Sequence, residues 1–357
     1  MQIHPQFKLN GISLDKDALY EVAYSWIKEG QEFEVQAGDF LLDWLNPFET
    51  LQVKTSGSTG APKTIHLRKQ CMKNSALMTG KYFKLSPGDK ALLCLPTAYI
   101  AGKMMLVRAM TLGLELDVVA PSTDPLSNLE HEHDFVAMVP LQVEASFSEI
   151  HKIKTLIIGG ASIPMALRER LSKLTNDIYE TYGMTETITH VAVKRVSSGR
   201  LQTFDGRFET LPEVTISKDE RGCLVINAPK VSDDTVVTND LVDLVDHKHF
   251  KWLGRFDNVI NSGGVKLIPE QIEEKLSKIL SHRFFVSSLP DKKLGEKLVL
   301  FIEVGKQDLI KLKQQLKNVE ALSKFEIPKE FFLVKKFMET PNGKIKRRET
   351  VSHFLQH

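Results

Sequence analysis

Hydroxyl, glycine and lysine residues are concentrated between Thr55 and Thr64, in the sequence TSGSTGAPKT. Glycines let backbone N–H groups turn toward an anion, hydroxyls add donors, and a lysine supplies a compact positive charge, so the stretch suits a polyphosphate. It is not a Walker loop, because Pro62 precedes Lys63 where that loop needs a Gly-Lys-Ser/Thr triplet. A solvated turn is the remaining alternative. The candidate phosphate-binding residues are Thr55, Ser56, Gly57, Ser58, Thr59, Gly60 and Lys63.

A glycine pair forms a second candidate binding turn. Gly159, Gly160 and Ala161 follow the apolar stretch Thr155–Ile158. Glycine at the carboxyl end of a strand lets a flat ligand approach the backbone closely, and ligands of α/β sheets bind at such ends. The alternative is a plain strand-to-helix turn, with Pro164 opening the helix.

A lysine near the C-terminus is the third candidate. Lys344 follows Pro341-Asn342-Gly343, and such a turn raises the lysine away from its own domain. The basic residues that follow it, Lys346, Arg347 and Arg348, are interpreted as a solvated tail.

Four segments, in this order, resemble the motifs of the adenylate-forming superfamily, which includes acyl-CoA synthetases, aryl-acid ligases and the adenylation domains of peptide synthetases. They are Thr55–Thr64, Tyr182–Thr187, Gly254–Glu270 and Thr340–Arg348. The resemblance covers nearly the full chain. The region before the first motif is shorter than in most members, so the chain resembles an abbreviated form.

The resemblance implies nucleotide contacts for the segment that begins with Tyr182, Gly183 and Met184. Tyr182 would stack on adenine. The Gly159–Ala161 turn would border both the adenine and the acyl carboxylate. Thr185 would donate a hydrogen bond to the α-phosphate. Glu186 would hold the Mg²⁺ that neutralises the triphosphate.

The resemblance also implies roles for residues later in the chain. Asp240 would accept both ribose hydroxyls, although Asn239 stands before it where the family has glycine. Arg255 would contact ribose or phosphate. Lys344 would be the catalytic lysine, which bridges the acyl carboxylate and the α-phosphate in the transition state.

Three more assignments follow from the same resemblance. Asp257 would be the hinge of a C-terminal lid, and Gly263 and Gly264 would face the pantetheine arm of CoA. Tyr99, in the segment PTAYIAG, would line the acyl pocket.

Composition excludes several classes of protein. A chain of 357 residues with a net charge of +2 is not a dedicated nucleic-acid binder. Its three cysteines, Cys71, Cys94 and Cys223, lack disulfide or zinc spacing, which favours a reducing compartment. We find no export signal and no membrane span, and a cytoplasmic location is expected.

Alternating helix and strand patterns through the first half predict an α/β fold with mostly parallel, helix-covered sheets. Alternating apolar residues from Gly199 to Leu253 predict a small β subdomain. A small, mobile α+β lid follows, in which a helix is predicted from Pro269 to Leu280 and another from Asp308 to Val319. The predicted domains are residues 1–256, the adenylation core, and residues 257–357, the lid.

Within the superfamily, four features together resemble the compact o-succinylbenzoate–CoA ligases of menaquinone biosynthesis. They are the short N-terminal region, Ile158–Pro164, Tyr182–Thr187 with the following Thr189–Lys194, and Thr238-Asn239-Asp240. The implied substrates are ATP, CoA and o-succinylbenzoate, with Mg²⁺ as cofactor, and a homodimer is a further expectation. His190 and Lys194 are candidates for facing the second carboxylate of the acid. The alternatives are a ligase for another acid or for a carrier-protein thiol, and a noncatalytic nucleotide-binding protein.

Overall fold

The computed structural model describes residues 2–54, 64–197, 206–280, 282–304, 322–339 and 345–356. The predicted phosphate-binding residues Thr55 to Lys63, the predicted helix Asp308–Val319 and Lys344 lie outside these ranges. The described helices are too short or too polar to span a lipid bilayer.

The chain forms two compact units. The first comprises Met1–Ile216, Ile226–Val236 and Asp246–His249, and the second comprises Ser217–Val225, Val237–Val245 and Phe250–His357. The division into a core and a lid after residue 256 stays a prediction.

The helices and strands up to residue 210 belong to the first unit. Its helices are α1 (Lys16–Glu29), α2 (Glu32–Leu45), α3 (Lys69–Phe83), α4 (Ile100–Leu112), α5 (Pro140–Ala145) and α6 (Met165–Leu171). Its strands are β1 (Lys8–Leu9), β2 (Ile12–Ser13), β3 (Thr50–Lys54), β4 (Thr64–Arg68), β5 (Lys90–Leu93), β6 (Glu115–Val118), β7 (His133–Met138), β8 (Ile153–Ile158), β9 (Asp177–Gly183), β10 (His190–Arg195) and β11 (Phe208–Thr210).

The later elements follow in chain order. The strands are β12 (Thr215–Lys218), β13 (Cys223–Asn227), β14 (Val236–Leu244), β15 (His249–Arg255), β16 (Ile260–Ser262), β17 (Val265–Leu267), β18 (Arg283–Asp291), β19 (Gly295–Glu303) and β20 (Glu330–Val334). The helices are α7 (Pro269–Ser277) and α8 (Arg347–Gln356).

The first unit is built on a parallel sheet, as predicted. Its strands lie in the order β1, β6, β5, β7, β8 and β9, and each neighbouring pair is parallel. Strands β2 and β10 pair antiparallel with β1 and β9 respectively, and β11 continues antiparallel beyond β10. Strand β6, which follows β5 in the chain, lies on one side of β5, and the next strand, β7, lies on its other side. That reversal opens a crevice at the carboxyl ends of β5 and β7, where ligands of α/β proteins bind.

The centres of these strands form the core of the first unit. Leu92, Val136, Leu156 and Ile178, on four neighbouring strands, are fully buried in one hydrophobic cluster. Strand β8 reads IKTLII and is buried at every position except Lys154, as expected for a strand covered on both faces. Helices α3 and α4 pack on each other, and α4 also contacts β5 and β6.

The second unit contains the predicted α+β element. A sheet in the order β17, β16, β19 and β18 has β20 beside β19. The rings of Phe285 and Phe301 stack 5.1 Å apart inside it, and Phe354 of α8 packs on Phe301. Upstream of this sheet, β14 and β15 pair antiparallel, as the alternating pattern predicted.

One predicted boundary is wrong. Helix α7 ends at Ser277, and not at Leu280 as its apolar spacing indicates. Leu280 is nevertheless buried in the same core as Leu276. The apolar spacing therefore identified the buried residues correctly but extended the helix too far.

Truncation of Leu156 should destabilise the first unit strongly. Leu156 is fully buried, so Leu156→Ala leaves a cavity and should lower the free energy of unfolding by about 3 kcal/mol. Urea unfolding measures the change. Leu141→Ala is the matched control, because Leu141 is 63% exposed and its loss should cost less than about 0.5 kcal/mol. Equal effects of the two substitutions would contradict this placement of the core.

Candidate active site

Several predicted site residues lie at one edge of the parallel sheet. Tyr99 follows β5, Gly159–Ala161 follows β8, and Thr185 and Glu186 follow β9. Because these strands are parallel, their carboxyl ends meet at the same edge. The backbone N–H of Gly159 donates to the carbonyl of Met138 at the end of β7, with an N···O distance of 3.1 Å.

The glycine pair after β8 is needed by the turn itself. A Cβ on Gly159 would collide with the hydroxyl of Thr181 on neighbouring β9. Gly160 has a φ of +83°, which favours glycine. Their contact with a ligand stays a prediction, because packing and backbone conformation already account for both residues.

The turn after β9 folds the chain back tightly. A Cβ on Gly183 would collide with the carbonyl oxygen of Thr189, so only glycine fits there. The buried hydroxyl of Thr187 accepts a hydrogen bond from the backbone N–H of Met184 at 3.1 Å. A short 3₁₀ helix, Thr185–Thr187, leaves Glu186 exposed and Thr185 half-buried.

Ile188 closes this turn in a strained conformation. Its φ of +66° and ψ of −58° define a γ-turn, and the N–H of Thr189 donates to the carbonyl of Thr187 at 2.7 Å. A β-branched residue there costs about 1–3 kcal/mol, so the surrounding structure must hold it. Ile188 is only 1% exposed, and its buried side chain fixes the turn.

Lys194, a predicted substrate residue, is held by protein groups. Its ammonium lies 2.7 Å from a carboxylate oxygen of Glu180, which also pairs with Arg168 at 2.6 Å. The same ammonium lies 4.5 Å from the ring centroid of Phe208, and that ring packs against Tyr182 at 5.8 Å. Lys194 and Tyr182, the predicted adenine-stacking residue, thus both contact the ring of Phe208.

A buried polar cluster around Arg108 lies behind the turn. His190, one of its members, was predicted as a site residue, but Arg108 was not. Arg108 of α4 is 1% exposed, and its guanidinium donates to the Thr189 hydroxyl at 3.2 Å and to Nδ1 of His190 at 3.4 Å. Its Nε–H donates to the Thr79 hydroxyl at 3.4 Å. No carboxylate of the described residues lies within ion-pair distance of Arg108. A buried charge normally has an ionic partner, so this site is suited to an external anion.

Burial sets the charge state of this cluster. Desolvation lowers the pKa of the Arg108 guanidinium to about 9, so it stays protonated at pH 7. The pKa of His190 lies well below its ordinary value, first because of burial and then because of the nearby Arg108 charge. Nδ1 of His190 accepts from Arg108, so Nε2 carries the proton and faces the Thr79 hydroxyl at 3.4 Å. His190 is therefore neutral, and Arg108 supplies the positive charge.

A sequence signal for Arg108 exists. Helix α4 reads IAGKMMLVRAMTL, and Arg108 is its one fully buried cation, since Lys103 is partly exposed. Helical periodicity places it on the same buried side as Met104 and Met105. A cation that interrupts a buried apolar face would have marked the site.

The second unit holds Asp240 and Arg255, which face each other across β14 and β15. The Arg255 guanidinium lies 3.3 Å from Oδ1 of Asp240, and Nε1–H of Trp252 donates to the same oxygen at 3.2 Å. Asp240 is 6% exposed. A buried carboxylate with fixed donors is a suitable acceptor for ligand hydroxyls.

Asp257, the predicted hinge, lies in a 3₁₀ turn over Phe256–Asn258. One carboxylate oxygen accepts from the side-chain amide of Asn239 at 3.2 Å. Asn239 occupies the position where the family has glycine, so this contact is specific to the residue present here.

Gly263 and Gly264 connect β16 to β17 as a two-residue hairpin turn. Their φ angles are +58° and +83°, as a turn of the type I′ class requires. Both glycines are therefore required by the turn. Contact with CoA stays a prediction for them.

Neutral His190 should make stability depend on pH. Its folded-state pKa is depressed, so the unfolded chain binds the additional proton as pH falls below about 6.5. Stability is then lost on acidification, by up to about 1.4 kcal/mol per pH unit. His190→Gln should show a smaller loss of unfolding free energy between pH 7.5 and 5.5, measured by urea titration. Exposed His131→Gln is the control, and an unchanged pH slope in His190→Gln would refute the assignment.

Known proteins share both the sequence and the fold. Residues 53–227 match the family described as AMP-binding enzyme. The chain is 38% identical to an acyl-CoA synthetase (AMP-forming)/AMP-acid ligase II-like protein from Dyadobacter fermentans. That match covers 94% of this chain and 98% of the other, with a TM-score of 0.61.

More distant relatives carry a specific name. The 2-succinylbenzoate–CoA ligase of Bacillus subtilis is 24% identical over 83% of this chain and 67% of its own length, so this chain spans about two thirds of that relative. The B. subtilis o-succinylbenzoate coenzyme A synthetase, solved with ATP and magnesium ion, has the same fold. Its TM-score is 0.72 at 20% identity, over 96% of this chain and 83% of the other. On the 38% identity that extends over nearly all of both chains, this chain belongs to the AMP-binding enzymes, the adenylate-forming superfamily of acyl-CoA synthetases.

Proposed function

We propose that this protein is an AMP-forming acid–CoA ligase whose acid is the aromatic dicarboxylate o-succinylbenzoate, in menaquinone biosynthesis. Buried Arg108, which has no carboxylate partner among the described residues, is the observation that carries the choice of acid. The names of several relatives, including the B. subtilis ligase, support the same choice. One carboxylate of the acid is activated, and the other binds Arg108.

The surroundings of Arg108 favour an anion with an aromatic ring. Its hydrogen bonds to Thr79, Thr189 and His190 are long, at 3.2–3.4 Å, and all of these partners are neutral. A carboxylate would replace them with shorter, charge-assisted bonds in a site of low dielectric constant. Phe83 packs beside His190, with ring centroids 6.3 Å apart, and it also packs against Phe135 and Tyr179. Phe83 thus places an aromatic cluster beside His190, the residue that accepts a hydrogen bond from Arg108.

The first half-reaction joins the acid to AMP. A carboxylate oxygen attacks the α-phosphorus of ATP, the bond to the β-phosphate oxygen breaks, and pyrophosphate leaves. We assign the hydroxyl of Thr185 to the α-phosphate, and the carboxylate of Asp240 to the ribose hydroxyls. Lys344 is assigned to the charge that develops between the carboxylate and the phosphate.

Magnesium would be held by Glu186. Its side chain is exposed at the carboxyl edge of the sheet and forms no ion pair with any described residue, so its oxygens fit a hard cation. When bound, Mg²⁺ supplies positive charge to the triphosphate, and the phosphates provide most of its remaining ligands.

The second half-reaction transfers the acyl group to CoA. The thiolate attacks the acyl carbon, and AMP leaves with the electrons of the broken C–O bond. Lys344 is needed only for the first step, so a lid that turns about Asp257 lets the same site serve both steps. Gly263 and Gly264 are then the candidates for contact with the pantetheine arm.

Arg108→Met should separate dicarboxylic from monocarboxylic substrates. A charge-assisted pair contributes about 1.5–3 kcal/mol, so kcat/KM for o-succinylbenzoate should fall by about 10- to 150-fold. The matched acid without the second carboxylate should keep its value within about threefold. Pyrophosphate release with each acid measures both effects.

Two controls accompany the Arg108 test. Arg170→Met removes an arginine that is exposed and pairs with Glu144, and it should not change either rate. Because Arg108→Met removes a buried charge without an ionic partner, its melting temperature should not fall. An equal loss of activity with both acids would show that Arg108 does not bind the second carboxylate. If the wild type does not turn over o-succinylbenzoate, the proposed substrate is wrong.

Lys344→Ala should impair the first half-reaction and spare the second. ATP–pyrophosphate exchange should fall by about a hundredfold or more, because the developing charge loses its cation. Thioester formation from supplied acyl-adenylate and CoA should remain near the wild-type rate. Lys346→Ala is the control, since Lys346 pairs with Glu349 on the surface. Surviving exchange in Lys344→Ala would show that its assigned role is wrong.

A further inference from the structure

Trp252 makes a hydrogen bond that the proposed reaction leaves unexplained. The indole Nε1–H donates to Oδ1 of Asp240 at 3.2 Å, and the Arg255 guanidinium lies 3.3 Å from the same oxygen. Asp240 is 6% exposed, and Trp252 is half-buried. Two donors of different kinds therefore converge on one carboxylate oxygen.

A β-bulge makes this convergence possible. Asp240 faces Arg255 and Leu241 faces Gly254, but Val242 then faces Trp252, so Leu253 is the extra residue of β15. Without a bulge, residues three apart on a strand point to opposite faces. The extra residue returns Trp252 to the face of Arg255, which is also the face of Asp240.

Gly254 fixes the bulge in place. Its φ of +154° is a conformation that side chains rarely adopt. A Cβ there would also lie 2.6 Å from Cγ2 of Ile268 and would collide with the carboxylate of Glu270. Glycine is therefore required on both counts, and the position of the indole is set by the backbone.

We propose that Trp252 is a positioning residue for ribose recognition: its indole N–H fixes the rotation of the Asp240 carboxylate that receives the ribose hydroxyls. This inference rests on the proposed function, in which Asp240 binds ribose. The indole is a rigid, neutral donor that cannot accept a hydrogen bond. It orients the carboxylate without neutralising it, whereas Arg255 compensates the charge. The carboxylate thus stays a strong acceptor in a single orientation.

The test compares two nucleotides that differ only in the ribose. Isothermal titration calorimetry gives Kd for ATP and for 2′,3′-dideoxy-ATP, both with magnesium, on the full chain. The wild type should bind ATP more tightly. Trp252→Phe keeps an aromatic ring but removes the donor, so it should weaken ATP binding about fivefold and leave dideoxy-ATP binding within about twofold. Asp240→Asn should abolish the preference for ATP.

Control variants distinguish a specific effect on ribose recognition from a general effect on the structure. Trp26→Phe makes the same change at another half-buried tryptophan, in α1, and should alter neither Kd. If Trp252→Phe weakens the binding of both nucleotides equally, or of neither, then Trp252 has only a packing role. The inference then fails while the proposed function stands. If the wild type does not bind ATP, or binds both nucleotides equally, ribose recognition by Asp240 fails and the inference falls with it.

Discussion

Parallel hydrogen bonding from β5 through β7 and β8 to β9 is the constraint on which the first unit depends. Ile158 lies opposite Glu180 in the ladder, so the next residues, Gly159 and Thr181, also lie side by side. That register explains why position 159 has no room for a Cβ. It also brings the ends of strands that are far apart in sequence to one edge, where Glu186 is exposed. The strand register thus determines which side chains lie together at this edge.

A helix packed against the sheet supplies the buried positive charge near that edge. Arg108 comes from the third turn of α4, a mostly apolar helix that contacts both β5 and β6. Its charge is retained although neutral groups surround it, which costs stability in the absence of an anion. Such a cost is typical of binding sites, where selection maintains a group for its ligand rather than for folding.

The sequence predicted the sheet well because its apolar runs are long and are punctuated by glycine and proline. Tyr182–Thr187 and Asp240 were predicted as site residues from their resemblance to family motifs, and their roles stay predictions. His190 and Lys194 were predicted to face the second carboxylate of the acid. In the structure His190 is neutral and the ammonium of Lys194 is bound by Glu180, whereas buried Arg108 forms no ion pair with a described carboxylate.

Other features could not be predicted from the sequence for physical reasons. The contact between Trp252 and Asp240 depends on one extra residue in β15, and a pattern of alternating residues assigns Trp252 to the opposite face. The partner of Arg108 could not be inferred either, because Thr79, Thr189 and His190 come from elements distant in sequence. The positions of Thr55–Lys63 and of Lys344 relative to these groups remain predictions from resemblance.

The strained turn at Ile188 has a consequence for partially unfolded states. The conformation at positive φ is maintained by burial of the isoleucine side chain, which is 1% exposed, and by the hydrogen bond from the Thr189 N–H to the Thr187 carbonyl. In a loosened, molten form of the protein, water would reach that side chain and the backbone would relax to an ordinary extended geometry. The turn that carries Glu186 would therefore lose its shape while most of the secondary structure persisted.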